Sequence, residues 1–457
     1  MTEVEPNAVR TPSMTVDSEV AIADVLYSCL DDAVAMPGIS ASAATLAAAA
    51  NLGHTVHGQA LISRALRNRV NHVDTDSCAP GGEDPFFVAD VGEVYRQHLR
   101  WGLLLPRVRP FYAVKCNPDP NVLKLLARLG TGFDCASKKE MDLVLSLGVE
   151  PSRIVYAHPC KTASFVRYAA QRDVRLMTFD NAEELHKIKR FFPEAELLLR
   201  VITDDSESLC RLSMKYGASL ADTPALLKLA QYLDLNVVGC SFHVGSGAAG
   251  GRPFVEAAKS ARAVFDIAAA LGTTMTVLDV GGGFSFDNFE NIAAVLRPAL
   301  DALFPPSVRI IAEPGRYYVA SAFTLACHVI ARREVPHLGN YMFYLNDGVY
   351  GNMNCIMFDH QRPAVRVLTH GQTYMYGLPD NCSGPVTASV WGPTCDGIDC
   401  ITGECQLPYV LDVGDWVYFD NFGAYTICAA SGFNGFNEKC DIVYVCSEEN
   451  AKKLLAA

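Results

Sequence analysis

The chain has 457 residues, half of them hydrophobic, and 50 Asp and Glu against 38 Lys and Arg give a formal net charge of −12. That length can bury one large core and a second smaller one, while the acidic balance argues against nucleic acid, whose phosphates the chain as a whole would repel. No apolar run is long enough to span a membrane, and Ala41–Ala50 is both too short and too weakly hydrophobic.

Residues 1–80 read as an N-terminal extension, partly disordered over Met1–Val20. Before His54 the single basic residue, Arg10, stands among Glu3, Glu5, Asp17, Glu19, Asp24, Asp31 and Asp32. That acidity fits neither a secretory signal nor a transit peptide, so a cytoplasmic protein is expected. Gln59–Val70 has the spacing of a short amphipathic helix, and Ser77–Asp84 is a loop rich in Gly, Pro and Asp.

From Phe86 onward, short β-branched or aromatic runs alternate with helical patterns. The strands expected are Phe111–Lys115, Gly132–Cys135, Ile154–His158, Arg175–Phe179, Leu197–Ile202, Val238–Val244, Thr276–Val280 and Arg309–Glu313. Pro120–Leu129 and Lys259–Leu271 are among the helices between them; in the second, Val264, Ile267, Ala268 and Leu271 follow the spacing of a buried face. Gly130, Gly148 and Gly272 stand where helix C-termini favour glycine. Eight alternations predict an α/β fold, a (β/α)8 TIM-like barrel over residues 86–317, with a loop insertion around Asp204–Gly217. A doubly wound sheet is the alternative; the count of eight and the block that follows favour the barrel.

That block, residues 318–450, lacks long helices. Tyr318–Val335, Tyr341–Asn346, Ala364–Leu368, Thr387–Trp391, Asp415–Asp420 and Asp441–Cys446 read as strands of a C-terminal all-β domain, which Phe86–Val88 joins from the N-terminal side. Sixteen cysteines are scattered through the chain without a Cys-x-x-Cys, and Cys395, Cys400 and Cys405 have no histidines nearby. Reduced thiols, with no disulfide scaffold and no metal site, are the reading.

The C-terminal strand ends of a barrel form its active-site face. Here they carry Lys115, Asp134, His158, Arg200, His243 followed by Gly245-Ser246-Gly247, Gly281 to Gly283, and Glu313 followed by Gly315-Arg316. Each alone has a plain structural reading: a solvated strand end, a turn, a hydrogen-bonded histidine. Their convergence on one face points to chemistry instead. A partly buried lysine has a lowered pKa and a free amine that can form a Schiff base with a carbonyl. The glycines let backbone N–H groups approach an anion, with the Arg316 guanidinium and the Ser246 hydroxyl to help hold a phosphate. A lysine and a phosphate site together suggest pyridoxal 5'-phosphate. Glu313 beside a pyridine nitrogen would keep it protonated and make the ring a strong electron sink, as decarboxylation requires. His243 either stacks on that ring or is a core histidine. In the β domain, Asp347 and Asp396 either cap Asp-Gly turns or receive a substrate ammonium, and Cys395 looks exposed and placed to deliver a proton.

Seven segments closely resemble the eukaryotic-type ornithine decarboxylases, which have an alanine-racemase-like pyridoxal-phosphate fold. They are Pro110-Phe-Tyr-Ala-Val-Lys-Cys-Asn117, Gly132-Phe-Asp-Cys-Ala-Ser137, Ser241-Phe-His-Val-Gly-Ser-Gly247, Asp279-Val-Gly-Gly-Gly-Phe284, Glu313-Pro-Gly-Arg316, Gly392-Pro-Thr-Cys-Asp396 and Asn421-Phe-Gly-Ala-Tyr425. The resemblance implies conversion of ornithine to putrescine and CO2. It implies that Lys115 holds the cofactor aldehyde, Glu313 pairs with the pyridine nitrogen and His243 stacks on the ring. Ser246, Gly282, Gly283, Arg316 and Tyr425 would hold the phosphate, with Asp134, Arg200 and Gly315 also in the cofactor pocket. Asp347 and Asp396 would receive the distal ammonium beside Phe433, and Cys395 would protonate the α-carbon. Cys395 and Asp396 would come from the partner subunit, which implies a head-to-tail homodimer with shared sites; an antizyme-like protein is the regulator such an enzyme could meet. His158 departs from the family pattern, which usually has Asn there, and the degradation tail of vertebrate relatives is expected to be absent.

Lysine or arginine decarboxylation on the same scaffold, or a bifunctional lysine/ornithine enzyme, is the nearest rival; lysine is one methylene longer than ornithine, and a methylene discriminates by only about 1–3 kcal/mol. Diaminopimelate would want a basic residue where Asp347 and Asp396 stand, and a racemase would want a weaker sink than Glu313. A non-catalytic regulatory homologue would have no need of Lys115, Glu313 and Cys395 together.

Overall fold

A computed structural model of the chain describes residues 55–456 apart from 75, 207, 249, 336–339, 379–384 and 437–439. The disorder expected over Met1–Val20 lies outside these residues. Eight parallel strands close into a barrel in sequence order: β2 (Val108–Ala113), β3 (Gly132–Cys135), β4 (Ile154–Tyr156), β5 (Leu176–Phe179), β6 (Glu196–Arg200), β7 (Asn236–Ser241), β8 (Val277–Asp279) and β9 (Arg309–Ala312), with β9 pairing back to β2. After α1 (Val56–Asn71), the helices around them are α2 (Val91–Leu104), α3 (Pro120–Arg128), α4 (Lys138–Ser146), α5 (Ala163–Gln171), α6 (Ala182–Phe191), α7 (Thr223–Tyr232), α8 (Arg252–Ala270) and α9 (Phe289–Leu303). The barrel is the fold the alternation predicted. Helix α8 starts earlier than its apolar spacing suggested, because Pro253 sits in its first turn, where a missing N–H costs nothing. Gly130, Gly148 and Gly272 all have positive φ at helix ends, as expected.

The barrel interior is layered. Phe111, Val155, Leu176, Leu198, Val277 and Ile311 form a compact apolar cluster inside it. Phe111 fits only because its register partner on β3 is Gly132, where a Cβ would fall 2.5 Å from the ring. Side chains two residues along a strand return to the same face. The next inward layer, toward the strand C-termini, is therefore Asp134, Thr178, Arg200, Ser241, Asp279 and Glu313. An apolar plug below a polar layer is what positions the site.

The second unit is a sheet of eight strands. β12 (Arg366–Val367), β17 (Trp416–Phe419), β10 (Phe323–Val335), β11 (Asn340–Leu345), β15 (Val386–Trp391) and β16 (Cys400–Leu407) lie in that spatial order. β1 (Phe86–Asp90) pairs with β10 and with β18 (Asp441–Val445), so the N-terminal strand does join this sheet. A separate hairpin is made by β13 (Thr369–His370) and β14 (Thr373–Tyr374). The sequence reading missed β16, an edge strand whose Gly403, Glu404 and Gln406 are exposed and interrupt any apolar alternation. Helix α1, capped by the Thr55 hydroxyl on Gly58 N–H, lays Ile62, Leu66 and Val70 against Phe86, Val88, Trp416 and Tyr418. Two short helices, α10 (Arg316–Val319) and α11 (Cys355–Phe358), flank the β10–β11 region, and α12 (Glu449–Ala456) ends the described chain. Among the described residues no helix is long and apolar enough to cross a membrane.

Candidate active site

Lys115 is not on a strand. It sits on the single turn Val114–Cys116 that follows β2, which frees its side chain from the pleat and leaves it 40% exposed toward the barrel mouth. Its Nζ forms an ion pair with Asp134 Oδ2, from the end of β3, while Asp134 Oδ1 is buried without a partner. Burial opposes the lysine's charge, but Asp134, with help from Tyr425 and Glu313, outweighs it and holds the pKa above its ordinary value. The lowered pKa expected from partial burial is thus corrected: a carboxylate from the neighbouring strand end overrides desolvation.

Glu140, which sequence reasoning missed, faces the same pair. It stands in the first turn of α4, where Ser137 caps its N–H at 3.3 Å and its own carboxylate accepts from Ala136 N–H at 2.6 Å. The Ser-x-x-Glu spacing of a capping box was the available signal. Burial pushes its pKa up, with Asp134 adding to the effect.

Across the mouth, Glu313 follows β9 and is held by its N–H on the Gly281 carbonyl at 2.7 Å. Burial, then Asp279 and Asp134, push its pKa well above the carboxylate range. His243 follows β7; its Nδ1 accepts from Gly245 N–H at 3.0 Å, which leaves any ring proton on Nε2. Burial, Arg200 and Lys115 hold this imidazole neutral. A Cβ on Gly282 would approach His243 Nε2 to 2.7 Å, and one on Gly283 the Gly245 carbonyl to 2.8 Å. The glycine turn is therefore a close cradle that no larger residue could form. Gly315 is similarly tight, 2.8 Å from Cys116 Cβ for an added Cβ.

Arg316 opens α10 beside this cradle. It donates to Ser246 Oγ at 3.3 Å, lies over the Tyr425 ring at 5.2 Å and pairs with Asp359. Cys210 meets the same turn through reciprocal backbone bonds with Ser246, both 3.1 Å. Arg200 is half-buried with its guanidinium over Tyr216, whose ring also meets His158 edge-on at 5.9 Å.

The β-domain carboxylates fall differently from expectation. Asp347 is fully buried, and its oxygens accept from Gly348 N–H at 2.8 Å, Asn352 N–H at 3.0 Å and Asn352 Nδ2 at 2.7 Å. Burial raises its pKa to about 6. In this fold it caps its own turn, and the carboxylate that faces the site is Asp359, on the Arg316 guanidinium. The sequence reading singled out Phe358-Asp-His360 through His360, as a segment resembling ornithine enzymes, and gave Asp359 itself no role.

Cys395, Asp396 and Phe433 gather elsewhere on the surface. Asp396 accepts from Tyr350 OH at 2.5 Å, which lowers its pKa; Phe433 stacks on Tyr350 at 4.3 Å; and Cys395 N–H donates to Asn434 at 3.2 Å. Cys395 is exposed, as expected. Among the described residues no hydrogen bond or ion pair links these three to Lys115, Glu313 or Arg316.

This geometry suits pyridoxal phosphate on three counts. The amine and the ring-facing carboxyl meet one mouth, the glycine cradle adjoins a guanidinium, and buried polar atoms of Asp134, Thr178, Ser241 and Asp279 lack partners in the layer beneath. The pyridoxal-dependent decarboxylase family, by its pyridoxal binding domain, matches residues 91–320. The chain is 56% identical to the ornithine decarboxylase of Neurospora crassa, covering 86% of this chain and 87% of that one. It is 51% identical to antizyme inhibitor 2 of Xenopus laevis over 78% and 80% of the two chains. Among solved structures, the arginine decarboxylase of Paramecium bursaria Chlorella virus bound to agmatine superposes with a TM-score of 0.76 at 34% identity, covering 85% of this chain and all of that one.

Proposed function

The chain belongs to the eukaryotic-type ornithine decarboxylases within the pyridoxal-dependent decarboxylase family, and from that premise we propose how its own residues release CO2 from L-ornithine to leave putrescine. The observation that carries the proposal is the meeting of the Lys115–Asp134 pair and Glu313 over one polar barrel layer. Pyridoxal phosphate, when bound, supplies the sink for the electron pair left at the α-carbon as CO2 departs.

Lys115 Nζ would hold the aldehyde carbon, and Asp134, paired with that amine, would take the proton it must lose. Glu313 would keep a proton at the ring nitrogen, while neutral His243 would pack against the ring without adding a competing charge. Gly282, Gly283, Ser246, Arg316 and Tyr425 bind the phosphate. With the phosphate bound, Arg316 would face a second anion beside Asp359. Asp359 is the carboxylate best placed for the distal ammonium, in the role sequence reading gave to Asp347.

Cys395 protonates the α-carbon and Asp396, beside Phe433, adds a second carboxylate for the ammonium, both acting across a homodimer. The exposure of Cys395 and Phe433, apart from the Lys115 mouth, supports that assignment: a thiol left open on one chain is available to a second copy. The exposed Met214, Met357, Phe358 and Ile398 are consistent with surfaces that a partner covers. An antizyme-like protein is a further partner, suggested by the name of one relative. That relative also raises a purely regulatory reading, which the joint presence of Lys115, Glu313 and Cys395 disfavours.

Purified protein with pyridoxal phosphate should be given ornithine, lysine and arginine separately, with CO2 and amine measured. Ornithine-selective release is expected. Faster release from lysine or arginine would keep the mechanism and change the substrate, and cofactor binding without release would favour the regulator.

A further inference from the structure

Asp279 takes part in none of the steps above, yet it closes β8 inside the polar layer and has no solvent exposure. Its Oδ1 accepts Gly281 N–H at 2.9 Å, while Oδ2 has no partner apart from the Glu313 carboxyl beside it. The group that faces it is Glu313. Gly281 donates its N–H to the Asp279 carboxyl and accepts the backbone N–H of Glu313 on its carbonyl, and Glu313 lies two residues beyond Ile311, the register partner of Asp279, so the two side chains enter one layer from neighbouring strand ends. Two carboxylates so close in a dry site cannot both ionise.

We propose that Asp279 and Glu313 form one acid pair sharing a single proton, and that Asp279 is the positioning residue that keeps this proton ready for the ring nitrogen of pyridoxal phosphate. The inference rests on the reading of Glu313 given above and extends it to a second carboxyl. Burial pushes Asp279 up to about 7, opposed by the Gly281 N–H, and Glu313 goes well above its usual range through burial and Asp279.

The surroundings fit this count. Asp134 on β3 is a third carboxylate, while Lys115 after β2 and Arg200 on β6 are the cations. Three negative charges against two positive leave one in excess, and a single shared proton cancels it. The Cys240 thiol and the Ser241 hydroxyl on β7 are buried beside Asp279 and stay protonated; His243 after β7 is neutral; Glu140 and Cys135 face the Asp134 side, and Tyr425 faces Lys115. When the ring nitrogen accepts the proton, the O–H bond of the pair breaks and an N–H bond forms, with no change in total charge.

The test uses Asp279→Asn, which keeps an acceptor for Gly281 N–H, and Glu313→Gln as a second variant. In protein without cofactor, infrared spectroscopy at pH 7.5 should show the C=O stretch of a protonated carboxyl in wild type, lost in both variants. Calorimetry in two buffers of different ionisation enthalpy should then show that Asp279→Asn takes up about one more proton than wild type on binding pyridoxal phosphate. Its affinity should fall about tenfold more per unit rise in pH. A band retained in either variant, or an unchanged proton count in Asp279→Asn, overturns the proposal. A wild type that shows the band but binds no cofactor would uphold the pair and defeat the cofactor reading.

Discussion

Lys115 and Asp134, nineteen residues apart in the chain, form an ion pair across two neighbouring strand ends of the barrel. The lysine is therefore charged before the cofactor arrives, and its capture of an aldehyde must wait for a proton to leave. Asp134→Asn should lower the Lys115 pKa and shift the pH dependence of pyridoxal phosphate capture downward, by one pH unit or more. Borohydride trapping across pH 6–10 would follow it. An unshifted profile would mean that the carboxylate does not govern the amine.

Lys115→Ala should reduce turnover by about 10³-fold or more, since it removes the amine that would hold the aldehyde. Cys395→Ala should instead spare cofactor binding and misdirect the proton, so that aldehyde and pyridoxamine phosphate accompany the amine. If sites are shared in a twofold dimer, mixing the two variants should restore amine formation free of by-products to about a quarter of the wild-type rate, because half of the dimers are mixed and each has one intact site. No recovery after exchange of subunits would count against sharing.

Asp359→Asn should raise the KM for ornithine about a hundredfold, as loss of one partner from a buried charge pair typically does. Cofactor affinity should not fall, because Arg316 would lose a competitor for the phosphate. Asp347→Asn should instead act on stability, since its oxygens hold the turn at Gly348 and Asn352. Thermal melts and steady-state kinetics on both variants separate the two roles; the opposite pattern would restore Asp347 to the site.

Gly282→Ala should weaken pyridoxal phosphate binding by about 10- to 100-fold, while the protein without cofactor stays folded. The added methyl would sit 2.7 Å from His243 Nε2, and overpacking of this kind costs about 1–3 kcal/mol. Equilibrium dialysis against the cofactor reads the effect directly, and unchanged affinity would show that His243 yields freely.

His98 gives a pH dependence independent of the site. Burial lowers its pKa to about 4 in the folded chain, where Nδ1 lies 3.1 Å from Tyr318 OH. The unfolded chain binds the proton more readily, so stability is complete above the unfolded pKa of about 6.5 and is lost as pH falls toward 4, by about 3 kcal/mol. Urea titrations at pH 7 and pH 4.5 should show this loss reduced in His98→Gln, and an identical loss would place the acid sensitivity elsewhere.

Much of this protein is written locally. The eight strand–helix alternations, the glycines at helix ends and the apolar faces of α1 and α8 depend on residues within a few positions of one another, so periodicity and capping reveal them. The same holds for Lys115, Glu313, Arg316 and the glycine run, each of which ends or follows a barrel strand. Strands such as β16, whose exposed side chains break the apolar alternation, stay hidden, because what makes them strands is their neighbour in the sheet.

The tertiary structure decided which charges meet. Arg316 and Asp359 are 43 positions apart, and nothing in the sequence around Asp347 or Asp359 says which one turns toward the guanidinium. The charge on Lys115 and the pairing of Asp279 with Glu313 follow from strand register around the closed barrel, which sets three carboxyls in one inward layer. Propensity and pattern act over a turn of chain and so fix the elements; Coulomb interaction and desolvation act through space, so they exist only once the elements have been brought together.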